Sequence, residues 1–498
     1  MRNITLSSWL CAWSLAATAA TFDVNQPPCP RDVSPQAQGV PSTERIYGWI
    51  EALVANGPRR TGTEANARAA ALVKCKFESF GLQDVHYVPA TSWSWEATRH
   101  GLQVNGLPLD SFPIAFSGVT ANQPSRFNTG PFGLQAELVD VGRGAALDVA
   151  LKRVKGKIAV FDLKFLISTA AFLPLLEYLW DPTLSAFNAE LFVGNPYQTN
   201  FTAVVQRLMD AGAVGVVGVL ADYHESNRYY NEYYRVLEMT IPGVWVSPGD
   251  GAKLRTWMKG NAYNTARIDL EGQRQAVTAR AVVGVLPGRT KDAVLVTSHH
   301  DSVWAGAVED GSGTASVLAQ AQYFSSRPEG QLDKTLIFTT MDSHFTGYQV
   351  HRAFGDIYLK PDAPYKVVAN VTIEHIAKQA VRRGGQLVLN GQSEVFGLFE
   401  SFSHPLGERL KAAVKLHDLR RTAVLGAHGL CGTVGLPTDA FACVSGIPTA
   451  SLISGPAYLY DEQDTLDKVA QDKLVPVAKV FTDFIEAIDR TPSSQIGR

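Results

Sequence analysis

Apolar positions change their spacing along the chain, and each change predicts a different kind of element. Ile46, Trp49, Ile50, Leu53 and Val54 recur at i, i+3, i+4, i+7 and i+8, one face of a helix that Asn56-Gly57-Pro58 stops. Ala69, Leu72, Val73 and Phe77 predict a second helix ending near Gly81, with a strand-like stretch at 85–88. Between about 134 and 270 the pattern shifts to short apolar strands, at 137–141, 157–161, 214–220 and 244–246. From about Ala281 onward strands and helices alternate. Strands are expected at 294–296, 335–341, 367–373 and 449–453, and helical runs at 316–324, 351–354 and 473–485. Such alternation implies a sheet with parallel strands and helices on both faces. Ligands of such sheets sit beyond the C-terminal ends of the strands.

Composition narrows the function classes. With 46% hydrophobic and 18% charged residues, the chain of 498 residues can bury a large core and is not broadly disordered. A net charge of −2 and no long basic run argue against a nucleic-acid binder held by phosphate contacts. Met1-Arg2-Asn3, an apolar run at 4–17 and the small residues Ala17-Thr18-Ala19 predict a signal peptide over residues 1–20, hence a secreted or extracytoplasmic protein. Its removal leaves Cys29, Cys75, Cys431 and Cys443, which fit two disulfides; the neighbours in sequence, Cys29–Cys75 and Cys431–Cys443, are the expected pairs. The apolar segment 165–180 carries Pro174 and Glu177 and is too short to span a bilayer, so a buried helix or a lid over a greasy cleft is expected. Asn200-Phe201-Thr202 reads as a usable glycosylation sequon, whereas Asn370-Val371-Thr372 sits in a strand pattern and should be buried.

The strand-end rule picks out chemistry. His299-His300-Asp301 follows the first late strand, Asp342-Ser343-His344 the second and Glu374-His375 the third, while a loop brings Glu309-Asp310-Gly311-Ser312-Gly313. Taken singly, each is more often a satisfied surface or core residue, and Asp310-Gly311 is a common turn. Imidazoles and carboxylates converging from several strand ends are instead the material of a zinc or two-metal hydrolytic site. An Asp two residues from a ligand His can orient its other ring nitrogen. No G-x-S-x-G elbow occurs, which weakens a serine-hydrolase reading.

At these residues the sequence resembles the secreted zinc aminopeptidases related to glutamate carboxypeptidase and transferrin receptor. The ordered phrases are Pro58-Arg59-Arg60-Thr61-Gly62-Thr63, Ala211-Gly212-Ala213-Val214-Gly215-Val216, His299-His300-Asp301-Ser302, Gly306-Ala307 with Gly311-Ser312-Gly313, Gly446-Ile447-Pro448 and Asp464-Thr465-Leu466-Asp467-Lys468-Val469. The resemblance implies an α/β zinc-exopeptidase-like fold, a mixed, mostly parallel sheet flanked by helices. It divides the chain into an N-terminal part at 21–130, a β-rich protease-associated insert at 131–275 and a C-terminal part at 276–498. It also implies that His299 and Glu374 are metal ligands and Asp301 the orienter. The sequence departs from the pattern elsewhere: the bridging Asp is expected at Val308, the paired glutamates, base then ligand, at His344-Phe345, and the last ligand His at Tyr460. A standard two-zinc site is therefore not expected. Two readings stay open. In one, a rebuilt hydrolytic site uses His299, Glu374 and His344 around one zinc, with Glu309 or Asp310, or uses His344 as a metal-free general base. In the other, an inactive homologue binds a partner. The clustered titratable groups favour the hydrolase, acting on a peptide or an amide-bearing small molecule, and Phe345 with the segment 165–180 points to an apolar one. A homodimer is expected by analogy alone.

Overall fold

The computed structural model describes residues 39–120, 123–230, 237–401, 404–427 and 446–496. The expected signal peptide and Cys29, Cys431 and Cys443 lie outside these residues, and with them both expected disulfide pairings; Cys75 is disulfide-bonded. Both predicted N-terminal helices are present, at Thr43–Val54 and Glu64–Ser79. Ser42 and Thr63 accept hydrogen bonds from the backbone N–H of Arg45 and Asn66, which caps two otherwise open helix starts. Ile46, Trp49, Ile50 and Leu53 turn inward as their spacing requires.

Four strands, Thr335–Met341, Asp292–His299, Lys366–Ile373 and Thr449–Ile453, lie side by side in that order and run parallel. The strands Thr335–Met341 and Thr449–Ile453 are buried throughout, which is why they read as unbroken apolar runs. Helices Gly313–Ser325 and Gln471–Arg490 pack on one face with the two N-terminal helices, and Gln349–Tyr358 packs on the other. Two long strands, Gln83–Val104 and Thr265–Leu286, pair antiparallel from Gln83 opposite Val285 to Val104 opposite Ala266. This ribbon links the parallel sheet to the inserted unit. Only residues 85–88 of its first strand are legible as strand in the sequence, because most of its other positions are half-buried or exposed and carry mixed polarity.

The inserted unit holds the four predicted strands, at Leu134–Asp140, Ile158–Asp162, Gly215–Val219 and Gly243–Val246. They are parallel, and helices Ala146–Lys152 and Phe201–Asp210 connect them, so the unit alternates strand and helix more than its β-rich expectation. Segment 165–180 is not a buried helix. Pro174 falls in a 3₁₀ turn, Thr169–Leu175, and the chain continues as a strand, Leu176–Trp180, that pairs antiparallel with Thr422–Gly426 at the far edge of the main sheet. Glu177 is tied to Lys411 at 3.2 Å. The Asn200 amide nitrogen donates to the Asp162 and Arg143 carbonyls, at 2.9 and 3.4 Å, and a glycan there would replace one of these two hydrogens. Asn370 is buried, as expected. Among the described residues, no helix is long and apolar enough to cross a membrane.

A hairpin of strands Lys378–Arg383 and Gln386–Ser393 leads to Glu394, whose carboxylate accepts from Gln379 Nε2 at 3.3 Å. Burial pushes Glu394 up to about 8. The folded protein then binds a proton there that the unfolded chain, with a carboxyl near about 4, has already released. Its stabilising contribution is therefore complete at acid pH and is lost as pH rises to about 8. Glu394→Gln is expected to be more stable than the parent at pH 8, on the order of 3 kcal/mol, with the difference vanishing near pH 4. Denaturant midpoints measured across that range check it.

Candidate metal centre

Three strand ends and one loop build the site. His299 is the last residue of its strand, and its ring Nδ1 lies 3.2 Å from Asp301 Oδ1. Asp301 Oδ2 accepts the backbone N–H of His344 at 3.0 Å and the Thr61 hydroxyl at 3.4 Å, so one carboxylate orients His299 and anchors the next strand end. Asp342, buried beside Asp301, is pushed up to about 7 by burial first and then by that neighbour; the Thr61 hydroxyl donates to it at 2.7 Å.

Loop residues 300–306 are clamped from behind. The buried Arg59 donates from Nε to the His300 carbonyl at 2.9 Å, and from Nη1 and Nη2 to those of Ala305 and Gly306 at 2.7 and 2.8 Å. Gly306 has φ +58°, and a Cβ there would overlap Ser302 and the Glu309 carbonyl, so glycine is required at this turn. Beyond it, Asp464 accepts the backbone N–H groups of Val308 and Glu309, both at 2.8 Å. The Val308 side chain joins the hydrophobic core. Glu309, not Val308, therefore delivers the carboxylate into the site. Its Oε1 lies 3.4 Å from His299 Nε2, and its Oε2 is in close contact with His375 Nε2.

The expected candidates separate in the structure. His299, Glu309 and His344 place donor atoms within 4.8 Å of one another, and so do His299, Glu374 and His375. Asp310, expected as a candidate ligand, belongs to neither group. Its carboxylate accepts from the Ser298 hydroxyl, from Gly313 N at 3.1 Å and from His375 N at 3.3 Å, so it braces the loop. Among the described residues His375 is the donor that the expected set omits. Adjacent strand residues point to opposite faces, but His375 has φ +55°, and this turn brings Glu374 and His375 to the same space. Its Nδ1 faces the Ser454 carbonyl at 2.8 Å, leaving Nε2 towards Glu309. His300 points elsewhere: its ring meets Thr340 Oγ1 at 3.0 Å, and burial pushes it down to about 3.

His344 lies flat against His299, with ring centroids 3.8 Å apart and planes 13° from parallel. An imidazole lone pair lies in its ring plane, so two stacked rings aim side by side rather than at one point. Phe345 and Tyr460, standing where ligands are expected from the resemblance, pack edge to face at 5.9 Å and are buried. Their side of the site is aromatic.

Charge follows this geometry. Burial opposes the charged form of His375, yet Glu309 outweighs it and lifts His375 to about 9. Burial likewise opposes charge on His299, and Asp301 and Glu309 raise it well above the usual histidine range. Burial, then the neighbouring His299, holds His344 well below that range, so its imidazole is neutral. Burial pushes Glu374 up to about 8. His299 Nε2, His375 Nε2 and both Glu309 oxygens are buried and have no hydrogen-bond partner beyond one another. Buried imidazole nitrogens and carboxylates brought together in this way are a kind of donor set that suits zinc. The residues fit the ion.

A parallel sheet with helices on both faces and a His–carboxylate cluster at its strand ends defines a hydrolase-type α/β scaffold. Residues 281–485 match the model of peptidase family M28. BSAP, a zinc aminopeptidase from Bacillus subtilis, is similar in structure, with a TM-score of 0.63 at 19% identity, covering 93% of this chain and 99% of that one. The peptidase M28 precursor from Shewanella amazonensis SB2B gives 0.65 at 18% identity, covering 90% and 93%. The aminopeptidase from Aneurinibacillus sp. strain AM-1 gives 0.60 at 19% identity, covering 91% and 95%. At these identities the likeness is one of fold. No curated protein matches the sequence.

Proposed function

We propose that this chain is an exported peptidase-like hydrolase that cleaves a peptide or amide bond with one zinc ion rather than two. The observation that carries the reading is the buried cluster in which His299, Glu374 and His375 place donor atoms within 4.8 Å of one another, beside Glu309, whose oxygens meet only His299 Nε2 and His375 Nε2. Zinc held by these four residues would supply Lewis-acid polarisation of the substrate carbonyl. Phe345 and Tyr460, packed edge to face, stand as aromatic residues where the resemblance expects ligands of a second ion.

The remaining chemistry falls to His344. Its neutral ring has a nitrogen within 4.8 Å of the His299 and Glu309 donors. There it takes a proton from the water that adds to the carbonyl carbon, and it returns that proton to the nitrogen as the C–N bond breaks. Asp301 keeps both histidines in register, through the His299 ring and the His344 backbone N–H. The stacked geometry favours this role for His344 over that of a ligand, and Glu309 brings a carboxylate to the site next to the position, Val308, where the resemblance expects one.

Metal analysis of the purified full chain is the test. About one zinc per chain is expected, falling to near zero in Glu309→Ala, together with chelator-sensitive cleavage of aminoacyl amides. A metal-free protein that cleaves none of them would refute the hydrolase and favour a binding protein.

A further inference from the structure

Next to the site lies a second cavity, built where the inserted unit meets the main sheet. Phe172, Leu176 and Leu179, from the turn and strand at 169–180, face Phe399, Leu425 and Ile453 of the main sheet. Among the described residues, no charged side chain lines it. Among its few polar groups, Asn195, Tyr197 and Ser454 gather at one end. Asn195 abuts Gly455 there, and Ser454 is bound to His375 in both directions: its carbonyl faces His375 Nδ1 at 2.8 Å, and its hydroxyl donates to the His375 carbonyl at 2.6 Å. The cavity thus shares a wall with a proposed zinc donor. Its mouth carries exposed apolar side chains, Leu173 at 37% and Phe187 at 52% exposure, with Leu184 and Phe192 beside them in the same segment.

We infer that this cavity binds the unbranched hydrocarbon chain of a fatty amide, with the amide at the Ser454–His375 end. A peptide laid along it would bring a backbone N–H and C=O with every residue, and the lining offers almost nothing to pair them with, at a cost for each buried group. A hydrocarbon chain brings none. An ionised head group would find no countercharge among the described residues of the lining. The exposed apolar rim gives the chain an entry.

The substrate class rests on the hydrolytic reading of the zinc site, whereas the binding site does not, and the two separate experimentally. Acetamide, butanamide, octanamide and dodecanamide are titrated calorimetrically into the zinc-loaded full chain. Affinity is expected to rise about fourfold per methylene and then level off once the cavity is full. Leu173→Asp, at the exposed rim, and Ala423→Trp, which fills the interior, are each expected to weaken octanamide binding about tenfold or more while zinc content stays unchanged. Loss in both variants supports the site even if one of them folds poorly. Affinity independent of chain length, insensitivity to both variants, or a preference for leucyl peptides over octanamide overturns it. If octanamide binds with the expected length dependence but no ammonia is released, the cavity stands and the hydrolytic reading fails. If short aminoacyl amides are cleaved while chain length has no effect on binding or rate, the hydrolytic reading stands and the cavity assignment fails.

Discussion

His344→Ala is expected to lower kcat for an aminoacyl amide by about 10²–10⁴-fold, the usual contribution of a positioned acid–base group, while zinc content remains near one per chain. The expectation follows from the stacked rings. With centroids 3.8 Å apart and planes 13° from parallel, His344 cannot aim its lone pair at the point His299 addresses. His375 and Glu309 already supply donors there. His344 is neutral and stands beside the His299 and Glu309 donors, and its removal should cost turnover and not metal. His344→Gln, which keeps a polar group of similar reach but cannot shuttle a proton, should be similarly impaired. Parallel steady-state kinetics and metal analysis decide it. Loss of zinc together with activity would make His344 a ligand, and unchanged kcat would remove it from the chemistry.

Arg59→Ala is expected to destabilise the protein by about 3–5 kcal/mol, the cost of removing one partner from a buried charged network. Three carbonyls, of His300, Ala305 and Gly306, would lose their donors in a space without water. Asp464, Asp301, Asp310 and Glu309, all buried, also act to keep Arg59 charged, although burial draws it down to about 10. Removing it takes one positive charge away from these acids. Arg59→Lys should recover only part of the loss, because one ammonium cannot reach three carbonyls that a planar fork spans. The same clamp sets the loop that carries Glu309, so zinc affinity should fall along with the denaturant midpoint. A variant with wild-type stability would show that the carbonyls find other partners.

The scaffold was legible because its signals are local. Val294, Leu295 and Val296 form a fully buried run, and so do the residues of Thr335–Met341, since strands covered on both faces need no alternation. His299, Asp301, His344 and Glu374 could be singled out because they follow such runs. Other features left no local trace. The ribbon strand Gln83–Val104 is half-exposed along much of its length, and its pairing partner lies far along the chain at Thr265–Leu286. The turn and strand at 169–180 look helical or lid-like by composition, and only the open edge of Thr422–Gly426 makes part of that segment a strand.

Within the site, the sequence by itself determined which elements end in imidazoles and carboxylates, and so which kind of chemistry the sheet edge holds. Tertiary structure alone decided which of those groups meet. Glu309 and Asp310 are neighbours in one loop, yet Asp464 and Arg59 orient the loop so that the first faces His299 and His375 while the second is consumed by Ser298 and backbone N–H groups. His375 should lie on the opposite face from Glu374, and its positive φ reverses that. The reason is physical: periodicity fixes the face of a side chain only inside regular structure, and these residues stand where the strand has ended and distant contacts set the backbone angles.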